Sequence, residues 1–301
     1  MQYGFSIKRK CYLLSVLLMT VWLTGCVQEE FESTPSPAGN GIRFTLTVPD
    51  VNLPSVSSRT MTGTGTAKKE DEIETVDILV FDMSKTPAVF LEWVSATGVT
   101  QDLADNSTVS FSAVLSPTTA STCIVVVANK ELDNIVSGFT KGATTKVEAM
   151  EKMLHTQTGK WLADGSTTGG YTRIPMYGEK VISKITPSMN PITEINMKRM
   201  LARIDIRNNS VTSNFMVEEV YLANYNTTGY IAPAWNTNGQ VTEPAPDTPV
   251  LPTGSGKMTE EGNAILYSVN GNTSYDGEIY TFESLAAGDA GGAGQDGEAS
   301  R

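Results

Sequence analysis

Gly41-Ile42-Arg43-Phe44-Thr45-Leu46-Thr47-Val48-Pro49-Asp50 is the stretch on which the fold turns. Ile42, Phe44, Leu46 and Val48 alternate with Arg43, Thr45 and Thr47. This period of two sets an apolar face toward a core and a polar face toward water. The pattern predicts a β-strand. Pro49, Asp50 and Pro54 end it, since proline cannot donate to a ladder and Asp favours turns. Ser55 to Gly65 is then polar and rich in Ser, Thr and Gly, with one basic residue, Arg59, near its middle. Such loops are exposed and are where proteases cut. The stretch by itself fits an ordinary N-terminal strand and loop, or a strand tied to the rest by a cleavable segment.

Upstream, Lys8, Arg9 and Lys10 form a basic region, and Cys11 to Leu23 is an apolar run too short to span a bilayer comfortably. Residues 1–25 therefore read as a signal peptide. The run ends in Leu23-Thr24-Gly25-Cys26, which resembles the bacterial lipobox. There, small residues admit the signal peptidase between Gly25 and Cys26, and the cysteine sulfur carries the lipid. The alternative is a secretory signal whose apolar region happens to end in cysteine. Gln28, Glu29, Glu30, Phe31 and Glu32 follow, then the Ser/Pro/Gly segment Ser33 to Gly41, so residues 26–40 read as a lipidated acidic linker. An acidic cluster behind such a cysteine also looks like the export signals of surface-displayed lipoproteins in Bacteroidetes-type bacteria, although a solvated linker needs no such role.

Removing residues 1–25 leaves 276 of 301 residues and takes away three of 22 basic residues and none of 33 acidic ones. The mature net charge of −14 makes nucleic acid and anionic lipid poor partners. Of the three cysteines, Cys11 leaves with the signal and Cys26 carries lipid, so Cys123 has no intramolecular partner and no disulfide framework forms. Cys123 lies in an apolar run, as a buried, inert thiol does.

Ile73 to Phe81 is apolar on both faces, as a central strand is. Its inward Asp77 is either functional or a strand-end, hydrogen-bonded carboxylate. Val89 to Val94, Thr108 to Leu115 and Cys123 to Ala128 read as further strands, and their spacing predicts a β-sandwich. One short helix interrupts them. Thr144 or Thr145 caps it, Val147, Met150, Met153 and Leu154 recur at helical spacing, and Gly159 ends it. Glu148 and Lys152 form an i,i+4 pair. His155, the only histidine, falls at that helix's last turn, where it suits the carbonyl end of the dipole. A second block begins with Thr193 to Ile206, for which Phe215 to Leu222 looks like the partner strand. Ala286 to Arg301 carries no apolar periodicity and reads as a disordered tail. The predicted fold is mainly β, with a sandwich over residues 41–195 and a second block over 196–285.

Chemistry-bearing clusters are sparse. One histidine and one unpaired cysteine cannot supply the usual zinc sets, and Asp102, Asp105 and Asn106 read better as a turn than as a calcium loop. No Gly-x-Ser-x-Gly elbow, phosphate loop or dinucleotide fingerprint occurs. Paired carboxylates of glycosidase type stay open, since they need only two acidic residues. The expectation is a protein without enzyme activity, metal or cofactor.

Ile174-Pro175-Met176-Tyr177-Gly178-Glu179 carries a resemblance. With the lipobox at Cys26, the strand Ile42 to Val48, Arg59-Thr60, the Val76 to Asp82 strand and Leu201-Ala202-Arg203-Ile204-Asp205, it resembles the fimbrillins, the type V pilins of Bacteroidia. The likeness runs in order over residues 23–206 and continues more loosely through Val217 to Tyr230 and Ile279 to Glu283. It implies two transthyretin-like sandwiches, a palmitate- and diacylglycerol-bearing precursor at the outer membrane, and adhesion through a polymer of fimbrial subunits. It also implies that a trypsin-like protease cuts between Arg59 and Thr60, removing the strand bearing Ile42, Phe44, Leu46 and Val48 so that another subunit's strand takes its place. Fimbrillins usually continue past the Tyr280 to Glu283 segment into strands that complete the second domain. Here a truncated sequence or a subunit that does not donate from its C-terminus is expected. The alternative function is an outer-membrane-anchored lipoprotein binding glycan or host protein through loops around Trp93, Trp161 and Trp235, or a non-polymerising anchor or tip subunit.

Overall fold

A computed structural model describes residues 42–48, 70–101, 108–157, 159–162, 172–208, 219–223, 225–243, 249–252, 265–268 and 275–284. Two strands with apolar side chains on both faces, β2 (Val76–Asp82) and β6 (Thr122–Ala128), lie side by side at the middle. Double-sided apolar strands need cover on both faces, and they have it. They belong to a five-stranded antiparallel sheet in which β3 (Val89–Ser95) flanks β2, while β8 (Met176–Ile182) and β10 (Lys198–Arg199) follow β6. On one face Ile78, Val80, Ile124, Val126 and Met176 meet a second sheet, built from β1 (Ile42–Thr47), β4 (Thr97–Gln101), β5 (Thr108–Ala113) and β9 (Ile192–Asn196) in the order β4-β5-β1-β9. The opposite face presents Leu79, Phe81, Cys123, Val125 and Val127 to a layer that includes Met150, Met153, Trp161, Ile231 and Phe282. The fold is therefore mainly β, as expected, with a sandwich whose inner sheet is covered twice.

Asp77, the polar member of β2, is buried but satisfied: its carboxylate accepts from Ser95 Oγ at 2.6 Å and from the Leu132 amide at 3.3 Å. It plays the structural part.

Two short helices occur where one was expected. These are α1 (Asp133–Val136) and α2 (Lys146–Lys152). Thr145 caps α2 in a reciprocal box with Glu148, whose carboxylate accepts from the Thr145 amide at 2.7 Å. Those bonds hold the Glu148 acid below its ordinary range. The helix stops at Lys152 rather than continuing to Gly159. Leu154–Thr156 instead forms β7, antiparallel to β13 (Thr228–Tyr230), and the Ile231 amide donates to Met153 O at 3.0 Å. His155 is consequently a strand residue and not a helix-end residue: cross-strand pairing outcompetes one more helical turn. Its ring packs 5.0 Å from Trp161 and 6.4 Å from Phe282.

The second block also differs from expectation. Residues 193–206 are not one strand but parts of β9, β10 and β11 (Ala202–Asn208), in three different sheets. The partner of β11 is β15 (Tyr275–Thr281), not the segment near Leu222. That segment, β12 (Glu219–Leu222), pairs with β14 (Ile265–Ser268). Length explains the choice: β11 and β15 match over seven residues, with Ile204 opposite Ile279, whereas β12 offers four. The tail from Ala286 onward lies outside the described residues.

Candidate functional site

β1 lies inside its sheet, not at the edge. It pairs antiparallel with β5, placing Ile42, Phe44 and Leu46 opposite Ala113, Phe111 and Val109, and it pairs parallel with β9. Ile42, Phe44, Leu46 and Val48 are all buried, at 5 % exposure or less, in the core between the sheets. Phe44 and Phe111 stack with ring centroids 5.0 Å apart and planes 6° from parallel. Arg43, Thr45 and Thr47 face outward beside Ser112, Ser110 and Thr108.

The β9 side carries an irregularity. Phe44 faces Ile192 but Leu46 faces Ile195, so β9 has one extra residue there. Glu194, inside that bulge, adopts φ 61°, and Lys180 Nζ donates to the preceding Thr193 carbonyl at 2.5 Å. At Gly178 a Cβ would approach Met197 Sδ to 2.7 Å and Ile195 Cγ2 to 2.9 Å, so only glycine lets β8 come this close to β9.

Both flanks of the sandwich are sewn by continuous chain. β3 leaves the inner sheet through Ala96 and becomes β4 of the outer one, and β9 passes through Met197 into β10. The Met197 amide donates to Thr47 O at 2.9 Å. β1 thus occupies a position paired on both sides, between β5 and β9.

The acidic stretch Glu70 to Glu74, which precedes β2, is anchored independently of β1. Glu70 is buried and accepts from Arg203 Nη1 at 2.7 Å and from the Tyr280 hydroxyl. Asp71 pairs with Arg199, and Arg173 bridges Glu72 at 3.3 Å and Glu74 at 2.7 Å. Asn129, itself at φ 58°, donates to the Glu72 carbonyl at 2.8 Å and to the Ile174 carbonyl at 3.0 Å, while accepting from the Glu74 amide at 3.0 Å. Cys26, Gly25, Arg59, Thr60 and the Asp102–Asn106 turn lie outside the described residues.

A buried ionic cluster was missed from sequence. Lys146, on α2 and only 2 % exposed at its side chain, meets Glu179 Oε2 at 2.6 Å, and the Tyr177 hydroxyl donates to the same oxygen at 2.5 Å. Burial, reinforced by the Glu179 charge, holds the Tyr177 phenol well above its ordinary value. Cys123 is a buried, unbridged thiol pushed up to about 11 by burial, which disfavours the reactive thiolate. A lysine capping-turn residue gives no local sign of its partner 33 positions away. Among the described residues, no group of three or more His, Cys, Asp or Glu side chains is arranged to hold a metal ion. The three tryptophans named as candidate platforms all pack on the inner sheet's second core. Trp161 is buried, with Nε1 donating to Thr172 O at 2.9 Å, whereas Trp93 and Trp235 are half-buried.

Among solved structures, the chain is similar to a fimbrial assembly protein from Parabacteroides distasonis, at 11 % identity over 81 % of this chain and 77 % of that one (TM-score 0.41). A putative cell adhesion protein from the same species shares 16 % identity over 83 % of this chain and 73 % of its own (TM-score 0.42). A putative adhesin from Bacteroides ovatus shares 14 % over 83 % and 70 % (TM-score 0.37). No curated protein matches. The family model described as major fimbrial subunit protein (FimA) matches residues 42–262, from the first residue of β1 onward. With nearly three-quarters of its length so matched, the chain belongs to the major fimbrial subunit protein (FimA) family.

Proposed function

We propose that this fimbrial subunit is exported as a lipoprotein acylated at Cys26, held at the outer membrane, and assembled after a trypsin-like protease cuts between Arg59 and Thr60. The cut separates residues 26–59, and β1 with them, from the rest of the chain. One observation supports this: β1, the first strand among the described residues, is an inner strand paired on both sides, with β5 and with β9. Its loss bares the N–H and C=O groups of β5 and β9, which template addition of a new strand. It also removes four buried side chains from the core. At about 1.5–3 kcal/mol each, these contribute roughly 6–12 kcal/mol gross, as much as a whole domain's net stability. A strand from a neighbouring subunit restores both, and the resulting polymer contributes to adhesion to host glycan or protein. The ion pairs at Glu70 to Glu74 keep the new N-terminal region fastened beside β2 once β1 has gone. N-terminal sequencing of surface-extracted protein tests this. A mature form starting at Thr60 is expected, whereas a sole form starting at acylated Cys26 identifies an anchored binder or anchor subunit.

A further inference from the structure

We propose that the β1 position selects its incoming strand by an aromatic ring: the donor carries a Phe, Tyr or Trp where Phe44 now lies, and Phe111 of the acceptor is the residue that selects it. This rests on the strand-replacement reading above. Three features of the site lead to it. The positions facing the core are unequal. Ile42 lies opposite Ala113, Leu46 between Val109 and Ile195, and Phe44 between Phe111 and Ile192. Among these positions only Phe44 sets a ring against a ring, stacked with nearly parallel planes and 5.0 Å between centroids, both residues being at most 3 % exposed. A flat occupant keeps the stack, whereas an aliphatic one fills volume but leaves Phe111 with a poorer contact.

The second feature is polarity. An occupant must run antiparallel to β5 and parallel to β9, so a strand entering in the opposite sense loses the hydrogen-bond pattern of both neighbours. The third is register. The extra residue of β9 at Thr193–Glu194 lies directly after the Ile192 that faces Phe44, and it fixes the ladder at that one point. A slip of one residue turns the entire apolar face toward water. The aromatic therefore has one permitted place: two residues after the side chain facing Ala113 and two before the one facing Val109 and Ile195. The partner is thus a strand of another subunit with apolar side chains at alternate positions, an aromatic second among them, and polar residues between that lie opposite Ser112 and Ser110, as Arg43 and Thr45 do now.

Peptide exchange on the full chain, cut at Arg59, tests this. Fluorescent peptides with the sequence of residues 41–50 are offered in three forms: native, Phe44→Leu and Phe44→Ala. The native peptide is expected to exchange in and bind about three- to tenfold more tightly than the Leu form and more than a hundredfold more tightly than the Ala form. In a Phe111→Leu chain the Phe/Leu ratio is expected to fall to about one. Because that ratio compares two peptides on one protein, a general loss of stability in the variant cancels. Equal binding of the native and Leu forms, or a ratio unchanged by Phe111→Leu, overturns the aromatic selection while leaving strand replacement intact. Failure of every peptide to enter, the native one included, overturns both.

Discussion

Lys146 shows how a side chain that looks like surface from sequence becomes a structural charge. Its side chain is 2 % exposed and is paired with Glu179, whose carboxylate also accepts a hydrogen bond from the Tyr177 hydroxyl. Replacing Lys146 with Met strands a half-buried carboxylate and should cost about 3 kcal/mol in urea unfolding, whereas Lys146→Met with Glu179→Met should cost clearly less, because unpaired charge is worse than no charge. His155 offers a second test. Burial, and then the charge of Lys130, hold its pKa below the ordinary 6.5, with Gln157 opposing. Below about pH 6.5 the unfolded chain then binds a proton that the folded chain refuses, so stability should fall as pH is lowered from 6.5 and level off below the depressed value. Glu283, raised by burial, has the opposite slope above its own ordinary range, and it is present in both proteins of the comparison. His155→Phe, which suits the ring cluster with Trp161 and Phe282, should therefore flatten the wild-type curve between pH 6.5 and 5 without altering it near pH 8.

At the scale of elements, β1 was legible because alternation over Ile42, Phe44, Leu46 and Val48 is a local signal, and the burial follows it residue by residue. The central position of β2 was legible for a similar reason, since apolar side chains on both faces demand cover. What local pattern could not supply was partnership. That β1 lies beside β9, nearly 150 residues later, or that β11 chooses β15 over β12, depends on matching lengths and side chains across the whole chain. Periodicity also placed His155 in a helix that cross-strand pairing with Thr228–Tyr230 ends early. Because β1 and β5 run in known register, they can be locked. Thr45 faces Ser110, and directly opposed residues lie close enough for a disulfide. With Thr45→Cys and Ser110→Cys oxidised, the chain cut at Arg59 should stay monomeric on size-exclusion chromatography, and reduction should restore assembly. Assembly that proceeds equally in both states would mean that β1 need not leave.

For the molecule as a whole, the arrangement separates the strand proposed to leave from the parts proposed to stay. β1 contributes its apolar side chains to the core between the two sheets. The inner sheet's opposite face is packed by α2, Ile231, Ala232 and Phe282, which belong to a separate core. On the proposed reading, the second core and the Glu70–Arg203–Tyr280 anchor are what would hold the chain together once the first core is opened. The direct test of the central claim is brief trypsin treatment of the purified chain, followed by N-terminal sequencing and size-exclusion chromatography with light scattering. The account predicts cleavage after Arg59, loss of the residues 26–59 fragment and conversion to oligomers. Clean cleavage at Arg59 that leaves a stable monomer without that fragment would contradict it.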